Sequence, residues 1–247
     1  MTTGVVFRPQ SPPEQLRAAV EAADAASVGE LWLWEDCFLE GGLSTAAAAL
    51  AWSERITVGI GLLPVPFRNP ALAAMELATL ARLFPGRLTV ALGHGIQEWM
   101  RQVGAAVDSP MTLLREHTTA VRALLAGETV DVRGRYVSLD KVALDWPPSS
   151  PPTLLVGARG PKTVALAAEV SDGVLLDSVT DPDVVRRARE LVGDRLIAAY
   201  TPIEPGRTPE DIRGWVAELE AAGTDSVILQ GTDEHPDHAP LIAALAN

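Results

Sequence analysis

Short apolar runs alternate with longer stretches of helical periodicity along the whole chain. Residues 3–7, 31–34, 56–62, 88–92, 153–156, 173–176, 195–200 and 226–229 form runs rich in Val, Leu, Ile and Ala with few charges. Nearly continuous apolar character over so few residues suits strands covered on both faces, as in a parallel sheet. Between them, helical spacing and helix-start signals recur. Ser11 precedes Pro12 and Pro13, an N-cap followed by Pro at the first helical position. Leu16, Ala19, Val20 and Ala23 then share one face, and Gly29 ends the element. Residues 44–52 are alanine-rich and helical, and 70–83 form a helix opened by Pro70.

A short helix over 96–102 follows, then a longer one capped by Ser109-Pro110, with Leu113, Leu114, Val121, Leu124 and Leu125 on one side and Gly127 at its end. Residues 129–132 and 136–139 flank Arg133-Gly134-Arg135 as a hairpin. The proline-rich stretch 146–152 reads as a rigid surface connection, because the same rhythm resumes beyond it. Helices over 162–170, from Asp181-Pro182 to Val192, from Thr208-Pro209 to Ala222, and over 239–245 complete the pattern. Eight strand–helix units in 247 residues predict a (β/α)8 TIM barrel, a single domain over residues 1–247. An open doubly wound sheet is the competing arrangement, but no G-x-G-x-x-G turn follows the first strand. In either fold, ligands gather at the C-terminal ends of the strands.

Composition narrows the function classes. A net charge of -12 argues against nucleic-acid binding, which rests on neutralising phosphates, and against docking on anionic membranes. The single cysteine, Cys37, excludes an intrachain disulfide and a multi-cysteine metal site. The N-terminal residues lack the basic and long apolar regions of a signal peptide. No apolar run approaches the ~20 residues needed to span a bilayer. A soluble, cytoplasmic protein acting on a small-molecule substrate is the expectation, with apolar helix faces that would allow a homodimer.

The strand ends carry the candidate chemistry. Gly157-Ala158-Arg159-Gly160-Pro161 leads from a strand into a helix, where glycines, free N–H groups and cations favour an anion. A plain turn is the alternative. His94, between Gly93 and Gly95, can donate to a bound ring or act as acid or base near neutral pH. Glu35 and Asp36 are adjacent, so their side chains point in different directions. A two-carboxylate hydrolase site is therefore not indicated, and a single carboxylate near the substrate stays open. Arg68 can meet an anionic substrate or cofactor tail, or cap and salt-bridge at the rim. Trp34 and Trp99 would suit a planar ring, whereas Trp32 is equally suited to the core. No metal site is indicated: His117 falls inside a helix, and His235 and His238 sit in a polar turn.

Several of these motifs, in this order, resemble a known family. Arg55-Ile56-Thr57-Val58-Gly59-Ile60-Gly61, Arg68-Asn69-Pro70, Pro85-Gly86-Arg87-Leu88 and Gly93-His94-Gly95 match the luciferase-like flavin-dependent oxidoreductases. So do Val156-Gly157-Ala158-Arg159-Gly160-Pro161-Lys162, Ala167-Ala168-Glu169 and Asp172-Gly173-Val174. The likeness extends to the deazaflavin (coenzyme F420)-dependent branch that includes the methylenetetrahydromethanopterin reductases. It covers residues 31–177; the final quarter matches only in rhythm.

The resemblance implies a flavin or deazaflavin in the barrel mouth. Gly61, Leu62 and Leu63 would back the ring, where the family often has a non-prolyl cis peptide. Gly93 and Gly95 would join the same wall. Gly157 to Pro161 would hold the cofactor phosphate, with Asp177 and Ser178 near the tail, and the loop after strand two would meet the substrate. Two features depart from the family. Glu35-Asp36-Cys37 lacks the histidine that commonly follows an acidic residue there, and Ile96 stands where some members carry glutamate. The chain is also shorter, without the large insertion after strand seven. The implied activity is hydride transfer between coenzyme F420 and a small organic substrate, with His94, Glu35 and Asp36 as the catalytic candidates. An FMN-dependent monooxygenase using reduced flavin and oxygen, or a non-catalytic flavin-binding barrel, are the alternatives.

Overall fold

The computed structural model describes residues 1–246. Eight parallel strands close into a barrel: β1 (Thr2–Phe7), β2 (Glu30–Leu33), β3 (Thr57–Pro64), β4 (Leu88–Gly93), β7 (Thr153–Ala158), β8 (Gly173–Leu176), β9 (Leu196–Pro202) and β10 (Ser226–Gln230). Their order around the wall is β1-β10-β9-β8-β7-β4-β3-β2, so every chain neighbour is also a wall neighbour. The predicted (β/α)8 barrel is therefore the observed fold. Helices α1 (Leu16–Ala25), α2 (Gly42–Ala51), α3 (Pro70–Leu83), α4 (Gln97–Gln102), α5 (Pro110–Leu125), α6 (Pro161–Val170), α7 (Pro182–Val192), α8 (Pro209–Ala221) and α9 (Ala239–Leu245) connect the strands. None of these is long and apolar enough to cross a membrane.

Two departures from the pattern have a physical reason in the contacts around them. Ser11 does not cap α1. Pro12 is held extended (φ -66°, ψ 143°) by the proline that follows it, and a 3-10 turn, Pro13–Gln15, precedes the helix. The hairpin strands, β5 (Val130–Arg133) and β6 (Ser138–Val142), begin and end later than expected. Glu116 on α5 accepts hydrogen bonds from the N–H groups of Arg135, Tyr136 and Val137, which draws those residues into the turn. At α8 the sequence signal holds in full: Thr208 and Asp211 form a reciprocal capping box.

The barrel divides its apolar residues between two cores. The larger lies between strands and helices and contains Leu31, Leu33, Ile60 and Leu63 among many others. The smaller fills the barrel itself and comprises Val6, Trp32, Ala91, Leu155, Leu175, Ala198, Tyr200 and Ile228, with Trp34 and Leu62 packed on it. β2 shows how the sequence assigns them. Side chains alternate in a strand, so Leu31 and Leu33 face the helices while Glu30 and Trp32 face the barrel interior. Glu30 closes the bottom by accepting from Trp32 Nε1 (2.6 Å), Ser226 Oγ (2.9 Å) and Thr2 Oγ1 (2.6 Å).

The Trp32 indole fits because Gly59 has no side chain. A Cβ there would lie 2.1 Å from the indole. Overpacking a buried site costs about 1–3 kcal/mol, so Gly59→Ala is expected to lower the unfolding free energy by at least that much. Gly214 in α8 has open space where a Cβ would go. Gly214→Ala should stabilise by about 0.5–1 kcal/mol through helix propensity. Urea denaturation of both variants checks the pair. A tolerated Gly59→Ala would contradict the packing described.

Candidate active site

The C-terminal ends of the strands converge on one mouth, and the alternation of β2 continues into the loop that lines it. Glu35 follows the outward series of Leu31 and Leu33. Its side chain is 8% exposed and accepts from the Gly42 N–H at the start of α2 (2.8 Å). It also takes both terminal nitrogens of Arg68, Nη2 at 2.8 Å and Nη1 closer. Arg68 forms a second ion pair with Glu76 on α3 at 3.3 Å. Its guanidinium is held even more firmly protonated than usual, chiefly by the hydrogen bonds to Glu35. The Arg68 carbonyl accepts from His117 Nε2 at 3.1 Å. A carbonyl can only accept, so the proton of this neutral imidazole sits on Nε2. Burial lowers the His117 pKa to about 4.

Arg68 salt-bridges at the rim, with its charge turned to Glu35 and Glu76. Glu35, singled out beside Asp36 as a catalytic candidate, is bound up in the same pair. Asp36 follows the inward series of Trp32 and Trp34. Its carboxyl is half-buried and has no hydrogen-bond partner among the described residues. Burial raises its pKa above the ordinary value, opposed by the charge of Arg8 and reinforced by Asp177 and Asp233. Arg159 also acts on it. These four groups stand at the ends of β1, β8, β10 and β7, so Asp36 is where the walls of the mouth meet electrostatically.

A second chain of contacts builds the floor. Tyr200 on β9 is 3% exposed and donates its hydroxyl proton to the Gly61 carbonyl at 3.0 Å. Burial holds the phenol well above its ordinary pKa, so it remains a donor. The Gly61–Leu62 peptide is cis, as the resemblance implied, and a second non-prolyl cis peptide joins Cys37 and Phe38. The Leu62 side chain then lies across Gly93 and Gly157, where a Cβ would come within 2.5 Å and 2.6 Å of it. Leu63 turns the other way, into the outer core. Gly61, Leu62, Gly93 and Gly157 thus form one surface from β3, β4 and β7.

His94 is half-buried beside this surface. Its Nε2 lies 3.4 Å from Thr163 Oγ1 in the first turn of α6, and burial lowers its pKa, favouring the neutral ring. Its Nδ1 is buried without a partner. Gly95 adopts a left-handed φ of +67°, which brings the chain back over Pro64 and Met100. Ala158 ends β7, buried, and Gly160 caps α6, with Pro161 as its first residue. Pro161 has no N–H, and the Thr163 and Val164 N–H groups donate to the Gly160 carbonyl (3.1 Å each), so the Lys162 N–H is the first-turn donor left without an acceptor in the helix, at the end that follows β7. Arg159 is largely exposed and ion-paired with Asp177, whose other oxygen accepts from Ser178 Oγ at 3.0 Å.

Arg8 was not among the sequence candidates. It is 4% exposed, and its guanidinium lies 4.8 Å over the Trp34 ring. Nη1 donates to the Gly231 carbonyl at 2.6 Å, and Nη2 pairs with Asp233. The only sequence signal was a charged residue directly after a strand. Trp34 also packs against Tyr200 in a tilted arrangement, 5.6 Å away by ring centroids. Trp32 belongs to the core and Trp99 to α4. A groove of about 400 Å3 on the flank, between α5 and the β5–β6 hairpin, lies away from the strand ends, and its Glu116 is consumed in holding the hairpin.

The chain belongs to the luciferase-like monooxygenase family, whose profile matches residues 2–205. It is 27% identical over 204 residues to a 5,10-methylenetetrahydromethanopterin reductase from Methanolobus tindarius, covering 83% of this chain and 62% of that protein. It is 31% identical over 206 residues to an F420-dependent glucose-6-phosphate dehydrogenase from Beutenbergia cavernae, covering 81% of this chain and 56% of that one. The chain therefore spans somewhat over half the length of these relatives. The fold is shared with an F420-dependent secondary alcohol dehydrogenase solved with an F420-acetone adduct. There the TM-score is 0.87 at 18% identity, covering 100% of this chain and 98% of that one.

Breaking a buried pair by removing one partner costs about 3–5 kcal/mol. Arg68→Met is expected to destabilise the fold by that amount, because Glu35 is left charged and buried. Adding Glu35→Leu should recover part of the loss. Chemical denaturation of the single and double variants measures both, and a loss below about 1 kcal/mol for Arg68→Met would contradict the pairing.

Proposed function

We propose that this chain is an oxidoreductase that moves a hydride between coenzyme F420 and a small organic substrate. The observation that carries the reading is Asp36: a half-buried, unpartnered carboxyl with a raised pKa, set among the charged groups Arg8, Arg159, Asp177 and Asp233 that follow four different barrel strands. The named activities of the relatives support it.

The residues present fit the cofactor. Leu62, seated over the Gly93 and Gly157 backbones, offers a flat apolar rest for a ring. Gly160 leaves open space where a Cβ would stand at the start of α6. The helix N-terminus, Arg159 and Lys162 suit a phosphate. When bound, coenzyme F420 supplies a two-electron hydride donor and acceptor. The protein's own part is placement and proton handling. Asp36 takes the proton from a substrate hydroxyl in the oxidative direction and returns it to the carbonyl oxygen in the other. Its raised pKa brings it nearer neutral pH, where acid–base exchange is efficient. His94, neutral and tethered to α6, orients the ligand. Tyr200 fixes the Gly61 carbonyl and with it the ring rest.

The second reading is a monooxygenase using reduced FMN and oxygen. It is favoured by the family to which the chain belongs and by a fold shared with an FMN-bound type II Baeyer-Villiger monooxygenase, at a TM-score of 0.80. Spectroscopic titration with coenzyme F420 and with FMN separates the two. Tight binding of coenzyme F420 is expected, with no oxygen uptake. FMN binding with oxygen consumption would favour the monooxygenase. Arg159→Glu sets a second carboxylate beside Asp177 and should weaken cofactor affinity by about tenfold or more. Unchanged affinity would remove the phosphate assignment.

A further inference from the structure

The substrate side of the mouth balances its charges internally. Arg8 spends its positive charge on Asp233, the Gly231 carbonyl and the Trp34 face. Arg68 is paired with Glu35 and Glu76, and Arg159, paired with Asp177, belongs to the end given above to the cofactor phosphate. Lys162 stands apart at the start of α6, at the same end. What faces a substrate is then one carboxyl, Asp36, one indole, Trp34, and an apolar rim. That rim is supplied by Phe38 and Leu39, 65% and 55% exposed on the loop after β2. An anionic headgroup entering here would meet Asp36, Asp177 and Asp233 with no uncommitted guanidinium to receive it. Like-charge juxtaposition of this kind rejects a ligand as effectively as missing contacts do.

We propose that Asp233 sets the specificity of this site: by neutralising Arg8 it leaves a pocket for uncharged alcohols or carbonyl compounds with an apolar body, and it excludes carboxylated or phosphorylated ones. The inference rests on reading the mouth as a hydride-transfer site and names its substrate class. Asp233 is suited to the role because its side chain is 86% exposed while that of Arg8 is 5% exposed. Removing the carboxylate leaves the core intact and Arg8 in place, held by Gly231 and Trp34. The guanidinium is then free to meet an incoming anion.

The test compares 4-methylcyclohexanone with 4-oxocyclohexanecarboxylate, which differ by a methyl against a carboxylate. Binding to the cofactor-free protein is followed by saturation-transfer NMR, and reduction by initial rates with reduced coenzyme F420. The unaltered protein is expected to favour the uncharged ketone by about tenfold or more. Asp233→Asn is expected to narrow that ratio by about threefold or more by admitting the carboxylate, with binding of the uncharged ketone unchanged. Equal or better binding of the carboxylate by the unaltered protein overturns the proposal. So does a ratio that Asp233→Asn leaves unmoved, or failure of the uncharged ketone to bind. If coenzyme F420 does not bind, the cofactor reading falls by itself, while the NMR ratio still decides the charge selectivity.

Discussion

Glu35 and Arg68 bring opposite charges together out of water, from loops 33 residues apart. Neither could be buried alone, since an isolated ion in such surroundings costs far more than the fold can offset. The pair ties the loop after β2 to the loop after β3, and its further contacts draw in three helices. Glu35 satisfies the first N–H of α2, Arg68 reaches Glu76 on α3, and the Arg68 carbonyl takes the His117 proton from α5. Asp36 is the next residue along the chain. With Glu35 clamped outward, Asp36 is held toward the barrel axis by the same backbone.

The interior of the barrel transmits that placement to the ring rest. Glu30, Trp32, Trp34 and Asp36 rise in one inward-facing series from the closed bottom to the mouth. Trp32 and Trp34 both pack on Tyr200, at centroid distances of 5.5 Å and 5.6 Å. Tyr200 in turn holds the Gly61 carbonyl, and the following residue, Leu62, occupies the space that Gly93 and Gly157 leave open. Rotamers locked by packing are what hold a site to the tolerance that chemistry requires. The side chain meant to handle a proton and the surface meant to carry a ring are thus braced by one set of contacts.

The barrel was legible because its strands are covered on both faces and read as plain apolar runs, and because Pro and polar caps mark the helices. The last helix, 239–245, emerged with the bounds its pattern suggested. Adjacency alone implied that Glu35 and Asp36 diverge. Which one turns inward was not legible, since that depends on the register of Trp32 in the barrel. Arg68 gave equal grounds for a ligand or a rim salt bridge, and its ion pair with Glu35, 33 residues away, carries no local signal. The Tyr200–Gly61 bond spans 139 residues, and Arg8 meets Asp233 across 225. No local pattern carries such pairings. Ser11 failed as a cap because the Pro-Pro pair that advertised the helix also held its first residue extended.

The central claim is that alternation along β2 gives two neighbouring carboxyls opposite duties. It is tested most directly by measuring stability and turnover together for Glu35→Gln and Asp36→Asn. Glu35→Gln is expected to lose stability by about 1–3 kcal/mol as the Arg68 charge loses its partner, with turnover retained in the folded protein. Asp36→Asn is expected to lose turnover by about a hundredfold or more. It should be at least as stable as the parent at neutral pH. A carboxyl whose folded pKa is raised favours the fold at low pH and disfavours it as pH rises through that value. The advantage of Asn should therefore vanish below the unfolded pKa near 3.8. Full activity in Asp36→Asn, or loss of turnover without loss of stability in Glu35→Gln, would contradict the account.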